Sequence, residues 1–150
     1  MRNAAALLAC SAFAILTLPL PGQDRPDFSG TWQFDSSKSE IHGVTAAGAI
    51  WVINEGENSI QIIESDNGAG KKTELKCTTD GKECKISGAK ASSASFWFNG
   101  PMLVEMESRG EHVTRYRLNL SADGKTLTVA TTSIVPKSTQ DDVLVFQKQA

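Results

Sequence analysis

The residues of this 150-residue chain that could do chemistry are few and widely spaced. Its two histidines, His42 and His112, are accompanied by neither a Gly-x-Ser-x-Gly nor a Cys–His signature, so no nucleophilic site is indicated. Gly124-Lys125-Thr126 resembles the end of a phosphate-binding loop. However, Asn119 stands where the upstream glycine belongs, and a strand is predicted to follow where a helix is needed. We therefore expect no enzymatic activity.

Metal ions and nucleic acids are not indicated as partners either. Asp141-Asp142 is a pair of neighbouring carboxylates, a feature that is far more often solvated than bound to a cation. The turn-like Asp66-Asn67-Gly68 lacks the spacing of a calcium loop. The formal net charge is −2 and the charges are dispersed, so there is no basic patch for nucleic acid or an anionic membrane. We expect no metal, no cofactor and no nucleic-acid partner.

The beginning of the chain has the order of an export signal. A positive residue follows the first methionine, an almost unbroken apolar run reaches Leu18, and prolines with a glycine then break any helix. The run is too short to span a bilayer comfortably. We expect residues 1–22 to be a signal peptide and 23–150 a single domain without a transmembrane segment, secreted or periplasmic. Cys10 lies in a lipoprotein-like box, but too few apolar residues precede it for lipidation to be favoured.

The remainder of the chain is predicted to be a series of strands. Short runs rich in Val, Ile, Thr and aromatic residues recur between Asp-Gly, Asn-Gly and other glycine-containing turns. No window has a sustained period of 3.6 residues, so little helix is expected. We predict an all-β fold: a single up-and-down antiparallel barrel of about 8–10 strands, because closure removes exposed sheet edges. The expected strands are 30–34, 49–54, 59–65, 71–78, 82–87, 93–99, 102–107, 112–120, 126–134 and 143–148.

Three predicted two-residue turns fix which residues oppose each other. They are Asp80-Gly81, Asp123-Gly124 and Gly56-Glu57. Each register sorts apolar residues to one face and polar residues to the other, and a slip by one residue would invert both faces. The expected inward pairs are Leu75 with Ile86, Leu118 with Val129, Tyr116 with Thr131, Ile53 with Ile60 and Trp51 with Ile62.

Cys77 and Cys84 oppose each other in the first of these hairpins. They are the two cysteines that remain after removal of the predicted leader. Directly opposed residues on antiparallel strands have Cα atoms about 4.5–5.5 Å apart, which suits a disulfide. We expect a disulfide, as is usual in an oxidising compartment, and a pair of reduced buried thiols is the alternative.

The segment Phe28-Ser29-Gly30-Thr31-Trp32-Gln33-Phe34 resembles the opening strand of lipocalins and fatty-acid-binding proteins, whose first strand carries Gly-x-Trp. Together with the segments 123–128 and 145–149, it makes the chain similar to small secreted bacterial lipocalin-like proteins of the calycin type. The resemblance implies a closed barrel in which Gly30 and Trp32 have a structural role at the closed end, beneath the cavity.

Fatty-acid-binding proteins also anchor a ligand carboxylate with an inward Arg and Tyr separated by one residue. Here Arg115-Tyr116-Arg117 allows either the tyrosine or the two arginines to face inward. A two-residue turn at Arg109-Gly110 would pair Arg115 with Val104, whereas a three-residue loop would pair Tyr116 with Val104. We favour an inward Tyr116, and inward arginines would have indicated an anionic ligand.

The resemblance implies a small hydrophobic ligand in the barrel interior, which apolar inward faces would suit. The segments 36–47 and 135–142 are the expected rims, and 36–47 is too short for the two lid helices of fatty-acid-binding proteins. The alternative is a filled barrel that acts as a structural or protein-interaction module, with an apolar patch at 143–146. The candidate ligand-binding residues, each of which could instead be plain core, are Trp51, Ile62, Phe96, Phe98, Met102, Val104, Met106, Tyr116 and Leu118.

Overall fold

Ten antiparallel strands close into a barrel in a computed structural model, which describes residues 25–42, 50–66, 70, 72–88 and 92–150. The predicted leader lies outside the described residues. The strands are β1 (Gly30–Phe34), β2 (Ile50–Glu55), β3 (Ser59–Ser65), β4 (Lys72–Thr78), β5 (Asp80–Ser87), β6 (Ser92–Asn99), β7 (Met102–Arg109), β8 (His112–Leu120), β9 (Thr126–Val135) and β10 (Asp142–Lys148).

The topology is that of an up-and-down meander. Each strand pairs with its neighbours in sequence, and β1 closes the barrel by pairing with β10. The described residues contain no helix, and therefore none long and apolar enough to cross a membrane. The predicted fold class, an all-β up-and-down antiparallel barrel, is confirmed.

Aromatic side chains close one end of the barrel. Trp32 and Phe28 are fully buried, and the Trp32 Nε1 donates a hydrogen bond of 3.0 Å to the Phe28 carbonyl oxygen. The Phe28 ring lies 6.3 Å from that of Phe98. Gly30 has a φ of +144°, and a Cβ there would lie 2.6 Å from Lys148 Cε. The glycine therefore allows the lysine to cross the strand and place its Nζ 5.3 Å from the centre of the Trp32 ring.

A disulfide joins β4 to β5. Leu75 pairs with Ile86 as the Asp80-Gly81 turn predicts, and Gly81 has the expected positive φ of +81°. Cys77 and Cys84 are bonded, with Cα atoms 5.5 Å apart. The covalent bond thus joins the strands in the part of the hairpin nearest to the turn.

The β2–β3 turn differs from the prediction. Trp51 pairs with Glu64 instead of Ile62, and the other predicted pair is displaced equally. The two-residue turn lies one position later than predicted, at Glu57-Asn58, because the Gly56 N–H donates a 2.9 Å hydrogen bond to the Ser59 carbonyl oxygen. A shift of two residues leaves every side chain on its predicted face, but it brings a carboxylate beside Trp51.

The predicted orientation of β7 is wrong. Leu103 belongs to the continuous core and pairs with Leu118 and Phe98, whereas Val104 is buried outside that core, between Trp97 and Arg117. Alternation along the strand therefore turns Glu105 and Glu107 inward. The three β7 residues that were predicted to line the interior face outward: Met102, Val104 and Met106.

The β7–β8 turn explains this orientation. Arg109 pairs with His112, so the two turn residues are Gly110 and Glu111, and the turn is neither of the two alternatives that the sequence left open. Gly110 has a φ of +60°, a conformation that glycine adopts without the strain of a side chain. The resulting register places Tyr116 opposite Glu105, with both side chains on the inner face.

Candidate functional site

A cavity of about 710 Å³ opens at the end of the barrel where β3 and β7 end and β8 begins. Inward residues of β2, β3, β7, β8, β9 and β10 form its wall, and the loop between β9 and β10 lies at its mouth with His42. The wall residues are Trp51, Glu64, Glu107, Arg109, Thr114, Tyr116, Thr131, Asp142 and Leu144.

The predicted lining residues divide into three groups. Trp51 and Tyr116 are on the cavity wall. Four others pack in the apolar core and do not reach the cavity: Ile62, Phe96, Phe98 and Leu118. The remaining three face outward from β7, so their assignment as lining is not compatible with the structure.

An Arg–Glu pair crosses the cavity wall toward a second glutamate. Arg109 Nε donates to Glu107 Oε1, and its second nitrogen donates to Glu107 Oε2 at 3.3 Å. The same guanidinium lies 3.9 Å from Glu64 Oε2, which accepts a 3.1 Å hydrogen bond from Thr73 Oγ1. One cation therefore serves two carboxylates from opposite strands of the barrel.

The Glu64 carboxyl is poised to exchange a proton near neutral pH. Burial raises its pKa to about 7, and the nearby charges of Glu107 and Asp66 act in the same direction. The hydrogen bond from Thr73 and the charge of Arg109 oppose this rise without cancelling it.

A third glutamate lies below the pair. Glu105 is 2% exposed and sits between Phe96 and Tyr116 on the neighbouring strands, and its Oε1 has no hydrogen-bond partner. Burial raises its pKa well above the ordinary value, and the charges of Glu107 and Glu64 add to the rise. Burial, with the same carboxylates, also raises the pKa of Tyr116, so its phenol stays protonated and available for hydrogen bonding.

Two further polar atoms on the cavity wall lack partners. Trp51 is 2% exposed and Thr131 is 6% exposed, and neither Trp51 Nε1 nor Thr131 Oγ1 has a hydrogen-bond partner. The Trp51 ring is held 4.7 Å from that of Phe146. At the mouth, by contrast, Asp142 Oδ1 accepts a 2.6 Å hydrogen bond from the backbone N–H of His42. The cavity wall thus offers the indole N–H of Trp51 and the hydroxyl of Thr131 beside several carboxyl groups.

The inward glutamates were missed because acidic residues on a strand usually indicate a solvent face. Two turns carry the missing signal. With Phe96 inward, a two-residue turn at Gly100-Pro101 places Glu105 inward, and with Tyr116 inward, Gly110-Glu111 gives the same answer.

The Arg115-Tyr116-Arg117 segment has the favoured orientation. Tyr116 faces inward, and the two arginines lie outside with Val104 and Met106. Arg117 donates a 2.6 Å hydrogen bond to Asp141 Oδ2. The inward arginines that would have indicated an anionic ligand are therefore not present in this segment.

The apolar patch of the alternative interpretation is largely internal. Leu144 and Phe146 are fully buried inside the barrel, and Val145 on the outer side is only 9% exposed. The interior, moreover, is packed at one end and hollow at the other. Within the described ranges, no group of three or more His, Cys, Asp or Glu side chains is arranged to hold a metal ion.

Fold and cavity together define a closed ten-stranded up-and-down barrel with a carboxylate-rich chamber at its open end. No protein family matches the sequence, and no curated protein matches it either. Among solved structures, the barrel is similar to that of the fluorescent protein UnaG, with a TM-score of 0.61, 16% identity, and coverage of 81% of this chain and 97% of that one. Two UnaG mutants match likewise, with TM-scores of 0.61 and 0.59 at 15% and 16% identity. They cover 82% and 81% of this chain and 96% and 95% of their own. At such identity the likeness concerns the fold.

Proposed function

We propose that this protein is a secreted or periplasmic binding protein, without enzymatic activity, that holds a small and partly apolar molecule in the cavity of its barrel. The cavity of about 710 Å³ is the observation that carries the proposal, because it falls within the usual size of small-molecule sites. The likeness in fold to a fluorescent protein is compatible with an occupied interior.

The wall of the cavity supports a ligand with both apolar and polar parts. Trp51 and Leu144 offer apolar surface, whereas Tyr116 and Thr131 offer hydroxyl groups. An apolar body with a few hydrogen-bonding groups matches such a wall. The ligand is thus less uniformly hydrophobic than the resemblance to lipocalins alone implies.

The test is a cavity-filling variant with a matched control. Thr114 lies on the cavity wall, and Met106 lies on the adjacent strand but faces outward. We expect Thr114→Phe to weaken binding of the neutral dye Nile red by at least about tenfold, through steric exclusion. Met106→Phe adds a bulky ring on the outer face and should leave Nile-red fluorescence titrations unchanged. Failure of the unmodified protein to bind the dye, or equal binding by both variants, would contradict the proposal.

A further inference from the structure

The interior holds more carboxyl groups than cations. Glu64 and Glu107 are on the cavity wall and Glu105 lies beneath it, whereas the cations among the described lining residues are Arg109 on the inner wall and Lys137 in the loop at the mouth. The Arg109 guanidinium is already engaged by two of these carboxylates. Ionising a buried carboxyl without a compensating cation is costly, and burial accordingly raises the pKa of Glu64 and of Glu105. An ammonium group beside Glu64 offsets that cost, so this arrangement favours a positively charged guest.

The unpartnered atoms of the wall point independently to a ligand. Trp51 Nε1 and Thr131 Oγ1 are more than nine-tenths buried, line the cavity and have no partner in the protein. Such groups are ordinarily satisfied, because an unmade buried hydrogen bond carries a desolvation cost. A ligand with a hydrogen-bond acceptor for the Trp51 indole N–H and a hydrogen-bonding group for the Thr131 hydroxyl would satisfy both atoms.

The size and walls of the cavity select the kind of cation. A space of about 710 Å³ is far larger than a metal ion requires, and the described residues provide no metal-binding cluster. Glu64 is the strand partner of Trp51, so a cation beside that carboxylate also lies near an indole ring. Aromatic faces attract organic ammonium groups, and most strongly where water is excluded.

Resting on the function proposed above, we propose that the ligand is a small organic amine whose ammonium group lies against Glu64 and Glu107, above Glu105. Its apolar body contacts Trp51 and Leu144, and a hydrogen-bond acceptor on it receives the Trp51 indole N–H. Arg109 then acts as a positioning residue that holds Glu107 and Glu64 in place across the barrel, and does not act as an anchor for a ligand carboxylate.

The test uses three probes with one fluorescent body and different charges: dansylcadaverine, which ends in an ammonium, its neutral N-acetyl derivative, and dansylaminocaproate, which ends in a carboxylate. We expect the amine to bind the purified protein at least about tenfold more tightly than the other two probes, because it forms a charge-assisted hydrogen bond in a buried site. Glu64→Gln, which keeps the shape and removes the charge, should abolish this preference.

Glu105→Gln is a second variant: burial raises the pKa of Glu105 well above its ordinary value, so its carboxyl is uncharged like the amide and the preference should persist. Glu111→Gln is the matched control. Glu111 is an exposed carboxylate in the turn at the same end of the barrel, so its loss should not change the ranking. Equal binding of the three probes, or tightest binding of the carboxylate, would overturn the amine proposal and leave the proposed function standing. If none of the three probes binds, the amine proposal is overturned, and the proposed function falls with it only if Nile red also fails to bind.

Discussion

The electrostatics of the cavity depend on the protonation of two single side chains, Glu64 and Glu105. A carboxyl group whose pKa is raised by folding favours the folded state while it is protonated and opposes it when ionised. For Glu64, with a pKa of about 7 against an ordinary 4.5, the unfolded chain loses the proton first as the pH rises. The favourable contribution is therefore complete below about pH 4.5 and is lost as the pH rises through 7.

This reasoning predicts that the free energy of unfolding falls between pH 5 and pH 8. The part due to Glu64 amounts to about 3 kcal/mol at most, and Glu105 acts in the same direction. Urea unfolding at several pH values should show the decline, and Glu64→Gln should flatten it. Carboxyls with lowered pKa values act with the opposite sign but below this range, so they do not mask the effect: Asp27, Asp35, Asp80 and Asp123. A free energy of unfolding that rises with pH, or a Glu64→Gln variant as pH-dependent as the parent, would contradict it.

The β4–β5 hairpin shows how one covalent bond supports a weakly paired element. Only two residue pairs are in register between these strands, one of them Leu75 with Ile86, while a β-bulge interrupts the pairing of β5 with β6 between Asp80 and Glu83. The Cys77–Cys84 disulfide lies in the region that the ladder leaves open. The bond therefore fixes the hairpin where backbone hydrogen bonds are sparse.

We expect replacement of both cysteines by serine to lower the free energy of unfolding by about 2 kcal/mol, the range for a short disulfide loop. Backbone amide exchange should accelerate mainly in β4 and β5, since the other strands keep their ladders. Thermal unfolding and hydrogen-exchange mass spectrometry would measure the two effects. Acceleration spread evenly over all ten strands would show that the bond has no local role.

At the scale of elements, the strands and two of the three predicted hairpin registers were predictable, whereas the faces of β7 were not. Where polar and apolar residues alternate cleanly, as around Leu118 and Val129, the register followed from the turn alone. In β7 the alternation points the wrong way, because the wholly apolar face of Met102, Val104 and Met106 is the outer one and the inner face carries Glu105 and Glu107. Only the two adjoining turns decide the orientation of Glu105 and Glu107, and with it the character of the site.

The molecule as a whole divides its interior into a packed half and a hollow half. Trp32, Phe28 and Leu118 are fully buried in the packed half, while Thr114 and Tyr116 border the chamber. Substitutions in the two halves should therefore have separable consequences, because removal of buried volume costs packing energy whereas filling an existing space does not.

Leu118→Ala tests this division. We expect it to lower the free energy of unfolding by roughly 2–5 kcal/mol and to leave probe affinity nearly unchanged at temperatures where the barrel stays folded. Thr114→Phe should do the reverse: its stability stays within about 1 kcal/mol of the parent while binding is lost. Parallel denaturation and titration curves measure both quantities. A loss of affinity in Leu118→Ala that equals that of Thr114→Phe would show that the two halves are not independent.

The turns that flank β7 have a consequence for how this barrel could diversify. One residue deleted before the strand and one inserted after it would slide β7 by a single position and keep every other strand in place. Glu105 and Glu107 would then face the surface, while Met106 and Ser108 would take their inward positions. Related proteins could thus exchange an acidic pocket for an uncharged one through one deletion and one insertion in these turns, with no substitution in any strand.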